Sequence, residues 1–143
     1  MTIWTRDPGR KEQLTGWALS LLRIVTALLF IEHGTQKYFG FPVPFPMGEI
    51  HLASLLGVAG VLELVGGTLL LFGVFTRPIA LLLSGEMAIA YFMMHMPQNF
   101  YPIANGGEAA ILFCFIFLLL AVAGPGPWAI EKMIERGSGP ANG

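Results

Sequence analysis

The chain has 143 residues, of which 55% are hydrophobic and only 12% charged, and its formal net charge is −1. A soluble domain carries about 25% charged residues, so this composition excludes a water-soluble fold and points to an integral membrane protein of one domain, residues 1–143, in contact with lipid. The near-zero charge gives no reason for a nucleic-acid partner. The one cysteine, Cys114, excludes an internal disulfide and dithiol exchange by this chain alone; inside an apolar run it reads as a packing hydrophobe.

Residues 1–15 form a polar lead with Arg6, Arg10 and Lys11, and no small-residue cleavage site follows, so a cleavable signal peptide is not expected. The first helix is expected over residues 16–35, with an extension towards Phe39 and Trp17 at headgroup level. Arg23, Thr26, Phe30, His33 and Lys37 fall on one stripe of it, and Glu32 on the other side. A basic stripe in a membrane helix faces protein rather than lipid. Residues 38–50 follow, with Pro42, Pro44 and Pro46 at alternate positions, which rules out a regular helix. With Phe39, Phe41 and Phe45, this segment reads either as a lid over the bundle or as a simple interfacial anchor.

Residues 52–75 read LASLLGVAGVLELVGGTLLLFGVF. The segment is long enough to cross a bilayer, which takes about 20 apolar residues, yet it holds Glu63 near its middle. Gly57, Gly60, Glu63 and Gly67 fall within roughly 120° of a helical wheel, so small residues on the carboxylate's face would let another helix come close. Thr76-Arg77-Pro78 reads as a tight turn, and the third helix is expected over residues 78–96 with Glu86 at its centre. Pro97 and Pro102 stop it. The fourth, residues 107–123, is free of charge after Glu108, and Gly124-Pro125-Gly126-Pro127 ends it. The tail from Glu131 reads as a turn or two of amphipathic helix before a disordered end. The expected architecture is all-α: a multi-pass four-helix bundle of the cell (inner) membrane. The lysines and arginines put both termini in the cytoplasm, with Lys37 alone opposite.

Depth along each helix, at about 1.5 Å per residue, places Arg23, Glu63 and Glu86 in one layer. Arg23 would neutralise one carboxylate; the surplus one would carry a proton or take up a cationic ligand. These three are the candidates for a buried charge relay, against a purely structural role in which they hold helix register. A second group lies towards the other face: Glu32, His33 and Lys37 leaving helix one, His95 leaving helix three, Tyr101 in the loop, and Glu108 starting helix four. Such a set could hold a polar headgroup or a quinone carbonyl, with histidine handling the proton. The plainer alternative is an interfacial Lys37–Glu108 ion pair.

Sharper ligand readings are set aside. A haem b between His33 and His95 is disfavoured because the wheel puts His33 with Arg23 and His95 away from Glu86. A di-metal carboxylate site is disfavoured because Glu32 and His33 are adjacent and diverge by about 100°, so no metal is expected. Gly66-Gly67 lacks the Gly-Lys-Ser/Thr of a phosphate loop and suits helix packing.

Arg23 with LLFIEHGTQKYFG, then GVLELVGGTLLLFGVFTRPIA, then Glu86-Met87 and Gly107-Glu108, resembles the DoxX family of small four-span membrane proteins over residues 19–123. The resemblance implies a four-helix membrane bundle. The family takes its name from a subunit associated with a terminal quinol oxidase, and has relatives tied to thiosulfate:quinone oxidoreduction and to oxidative-stress defence. Three functions are then in play: a redox-associated subunit binding a quinone or similar small molecule, a proton-coupled carrier working as a homodimer, or a non-catalytic adaptor for partner subunits of a larger oxidoreductase.

Overall fold

A computed structural model describes residues 7–138, all helix and loop, with no strand among the described residues. Arg6 and the end of the tail expected to be disordered lie outside the described residues. The first helix, α1 (Pro8–Phe39), begins at Pro8 rather than near residue 16. The Asp7 side chain accepts from Gly9 N at 3.0 Å, and Pro8 takes the first helical position, where its missing N–H costs nothing. Backbone hydrogen bonding does not need apolar side chains, so the helix continues through the polar lead. Its 32 residues span about 48 Å, well beyond the roughly 30 Å of a hydrocarbon core.

Helix α2 (Leu55–Phe72) starts at Ser54, whose hydroxyl accepts from Gly57 N at 3.0 Å. It ends at Gly73 (φ 68°), after which Val74 N returns to Leu69 O at 2.9 Å. Helix α3 (Thr76–Ala90) runs on into a π-helical turn, Tyr91–His95. A short helix, α4 (Pro102–Asn105), which periodicity did not foreshadow, precedes α5 (Glu108–Ala123). The amphipathic tail is a helix, α6 (Ile130–Gly137). Three of these, α1, α2 and α3 with its π turn, are long and apolar enough to cross a membrane; α5 is equally apolar but has 16 residues.

The bundle is two antiparallel hairpins, α1 with α2 and α3 with α5. The small-residue face read from the sequence is the face α2 presents to α1. A side-chain carbon at Gly60 would run into Lys37 and Tyr38, one at Gly67 into Ile31, and Gly34 of α1 lies against Gly60 and Leu64. Gly66 opens the other way and admits Leu83 of α3. Thus the glycine pair serves two helices at once. The hairpins join through Ala27, Phe30, Leu70, Leu83 and Phe117, all fully buried. Phe30 sits edge-on to Phe117 with ring centroids 4.8 Å apart, tying α1 to α5.

Candidate functional site

At the end of α1 remote from the termini, Lys37 donates to both carboxylate oxygens of Glu63. The pair is almost fully enclosed, with side-chain exposures of 10% for Lys37 and 4% for Glu63. Helix geometry explains why they meet. Gly60 lies one turn before Glu63 on the same face and leaves room for the lysine stem. Tyr38, next to Lys37, donates its hydroxyl to Gly57 O at 2.6 Å and fixes the same register. Among the described residues, the carboxylate in the middle of α2 is therefore matched by the one lysine or arginine at that end of the bundle.

The pair forms one wall of a cavity of about 320 Å³. His33 and His95 also line it, with Phe30, Phe113 and the loop residue Phe45. His33 stands edge-on to Phe113, ring centroids 5.7 Å apart. His95 closes the π turn, and its Nδ1 lies 3.0 Å from Asn105 O. A carbonyl only accepts, so Nδ1 is the donor of this hydrogen bond. Asn105 is itself held, donating to Asn99 O at 2.7 Å and accepting from Gly107 N at 2.7 Å. π turns inside helices gather at functional sites, and this one delivers His95 to the cavity. The proline-rich loop contributes Phe45 and Met47 to the cavity wall, whereas Phe39 and Phe41 face outward.

The expected grouping of the charged residues needs correcting. Arg23 meets neither Glu63 nor Glu86. It is fully buried, and its guanidinium donates to Leu70 O (2.5 Å), Leu71 O (2.6 Å), Pro125 O (2.9 Å) and Trp128 O (2.6 Å). The antiparallel register sets Arg23 beside the last turn of α2, where carbonyls lack helical partners and a cation suits the helix dipole. Arg23 and Lys37, 14 positions apart, are separated by about 21 Å along α1. Two other residues complete this terminal clamp: Arg77 donates to Ala121 O and Val122 O at the end of α5, and Glu131 accepts from Thr76 N at 3.1 Å at the start of α3.

Glu86 lines the space between α2 and α3, and both its carboxylate oxygens are buried without a hydrogen-bond partner. Of the outer set, Lys37, His33 and His95 come together at the cavity. Glu32, Tyr101 and Glu108 do not: each is exposed and none lines it. The alternative Lys37–Glu108 ion pair does not form, because Lys37 turns inward to Glu63. Glu32 diverges from His33 by one helical step, and Glu108 stands exposed in the first turn of α5. Sequence reasoning missed Phe113, Met94 and Gln98 as wall residues. Nothing in an apolar run marks Phe113 as different from its neighbours.

The fold and site define a small helical membrane protein with a half-open, partly polar cavity walled by an ion pair and two histidines. The DoxX family model matches residues 18–96, and the chain belongs to the DoxX family. That stretch holds Lys37, Glu63, Glu86 and His95. The chain is 44% identical over 125 residues to a Haemophilus influenzae protein named "Uncharacterized protein", covering 85% of this chain and 93% of that one. It is 31% identical over 126 residues to the Escherichia coli "Inner membrane protein YqjF" (80% and 89% covered). It is 28% identical over 119 residues to the Bacillus subtilis "Putative oxidoreductase CatD" (82% and 87% covered). No solved structure matches the chain.

Proposed function

We propose that this protein is a redox-associated membrane subunit that binds the ring of a quinone, or a small molecule of like shape and polarity, beside the Lys37–Glu63 pair. The observation that carries the reading is the buried ion pair set in the wall of a cavity that two histidines also line. A quinone ring has flat apolar faces and two carbonyl acceptors. Phe30 and Phe113 suit the faces. The Lys37 ammonium has three donors, of which Glu63 uses two, so one is left for a carbonyl. A volume of about 320 Å³ lies at the small end of ligand pockets, which run from about 300 to 1,000 Å³. A bound quinone would supply two-electron chemistry. The chain's part is to hold the ring, with His33 and His95 as groups that give or take the accompanying protons. Electrons would come from partner oxidoreductase subunits. The printed name of the Bacillus subtilis relative points the same way.

In this reading all four apolar helices cross the inner membrane, the location named for the Escherichia coli relative, and both termini are cytoplasmic. Arg10, Lys11, Arg77 and Lys132 then gather at the terminal end, with Lys37 on the other side. The test is titration of the purified protein with a tail-less benzoquinone. Glu63→Gln should insert and fold but lose binding; full binding by that variant would refute the reading.

One observation favours a second reading, a proton-coupled carrier acting as a homodimer: the buried, unpartnered carboxyl of Glu86. Proteoliposome flux that disappears in Glu86→Gln, with quinone binding absent, would select it.

A further inference from the structure

Between α2 and α3, on the membrane-facing side, lies a groove of about 460 Å³. Its walls are aliphatic, including Val58, Leu62, Leu82 and Ile89, and Glu86 is the only ionisable residue among them. Leu55, Val58, Leu81, Leu82 and Ile89 are exposed, so the groove opens to lipid. Three residues, Leu56, Ala90 and Met94, line both this groove and the ion-pair cavity. The two spaces are therefore separated by a single layer of side chains. One of the three is an alanine, and another is a methionine, whose unbranched side chain shifts easily between rotamers. Met94 belongs to the π turn that also carries His95.

We propose that the natural ligand is an amphiphile whose apolar chain lies in the α2–α3 groove while its polar ring passes the Leu56–Ala90–Met94 partition into the cavity. This rests on the function proposed above and narrows its ligand to a membrane-dissolved, tailed molecule that arrives sideways from the bilayer. The other candidate for the groove, an acyl chain of a bulk lipid, has no use for a thin partition leading to an ion pair. Transfer of a chain from lipid to the groove gains little hydrophobic energy, since lipid is equally apolar. The groove accordingly sets position and route rather than affinity, and the test reads position.

The probe is a benzoquinone with a decyl chain ending in a diazirine, photolysed with the full-length protein in lipid nanodiscs. The expected adducts fall on α2 near Val58 and Leu62 and on α3 near Leu82 and Ile89, and excess tail-less benzoquinone suppresses them. Gly85 lines the groove, and a Cβ added there would meet nothing within 4 Å. Gly85→Trp should therefore fill the groove without disturbing the fold. It should abolish the groove adducts while leaving the dissociation constant of the tail-less ring unchanged. Val58→Trp, from the facing wall, should do the same. Adducts spread over all lipid-facing helices and insensitive to the tail-less ring would overturn the inference, as would groove adducts that persist in both tryptophan variants. If the tail-less ring itself fails to bind the wild type, the function reading falls first.

Discussion

Replacing Lys37 by methionine keeps most of the apolar stem and removes the charge. It strands Glu63, whose side chain is 4% exposed and has no other hydrogen-bond partner. Breaking one member of a buried ion pair costs about 3–5 kcal/mol in soluble proteins. In lipid the unfolded state finds some partners of its own and the cost shrinks, so a loss of about 2 kcal/mol is expected. Glu63→Leu should cost a comparable amount by stranding the ammonium. The double variant Lys37→Met/Glu63→Leu removes both partners and leaves an apolar contact of similar shape, which can be nearly neutral. The coupling energy from the four proteins should then be about 4 kcal/mol in magnitude, the two single losses together. Reversible unfolding in mixed micelles with increasing SDS measures it. The stacked Trp17 and Trp128 rings, 6.5 Å apart at the terminal end, give a fluorescence readout away from the substitutions. Losses that add to within about 0.5 kcal/mol would show that the two side chains do not interact, and the site built on their pairing would go with them.

Two further substitutions separate framework from site. Arg23→Met should cost at least about 3 kcal/mol, because hydrogen bonds from a charged donor contribute about 1.5–3 kcal/mol each and four carbonyls lose theirs. The same SDS titration measures the loss; binding of a tail-less benzoquinone by the protein that remains folded should be unaffected, and lost binding would return Arg23 to the site. Glu86→Leu should raise stability by about 1–3 kcal/mol, since it removes a buried polar group that has no partner. A lower SDS midpoint would mean that Glu86 has a bonding partner when the protein is in lipid.

The membrane setting, the all-helical class and the face of α2 turned to α1 were legible in the amino-acid order alone. Each depends on local composition or on 3.6-residue periodicity, both of which are properties of a chain before it packs. Gly57, Gly60, Glu63 and Gly67 share a face whatever surrounds them, and all four are buried. The same logic failed for Arg23. Periodicity gives the side of a helix, but not which turn of a neighbour stands opposite. The depth estimate started helix one at residue 16, whereas the Asp7 cap starts it at Pro8. Only the antiparallel register of α1 on α2 set Arg23 against α2's last carbonyls and Lys37 against Glu63.

The cavity likewise belongs to the tertiary structure. It needs Phe113 from α5, Phe45 from the proline-rich loop and His95 from a π turn that no periodic pattern announces. Ionisable residues in an apolar chain call for a partner or for the neutral form, because burying a lone charge is too costly. Which partner each one takes is a matter of distance in three dimensions, and distance is what packing decides.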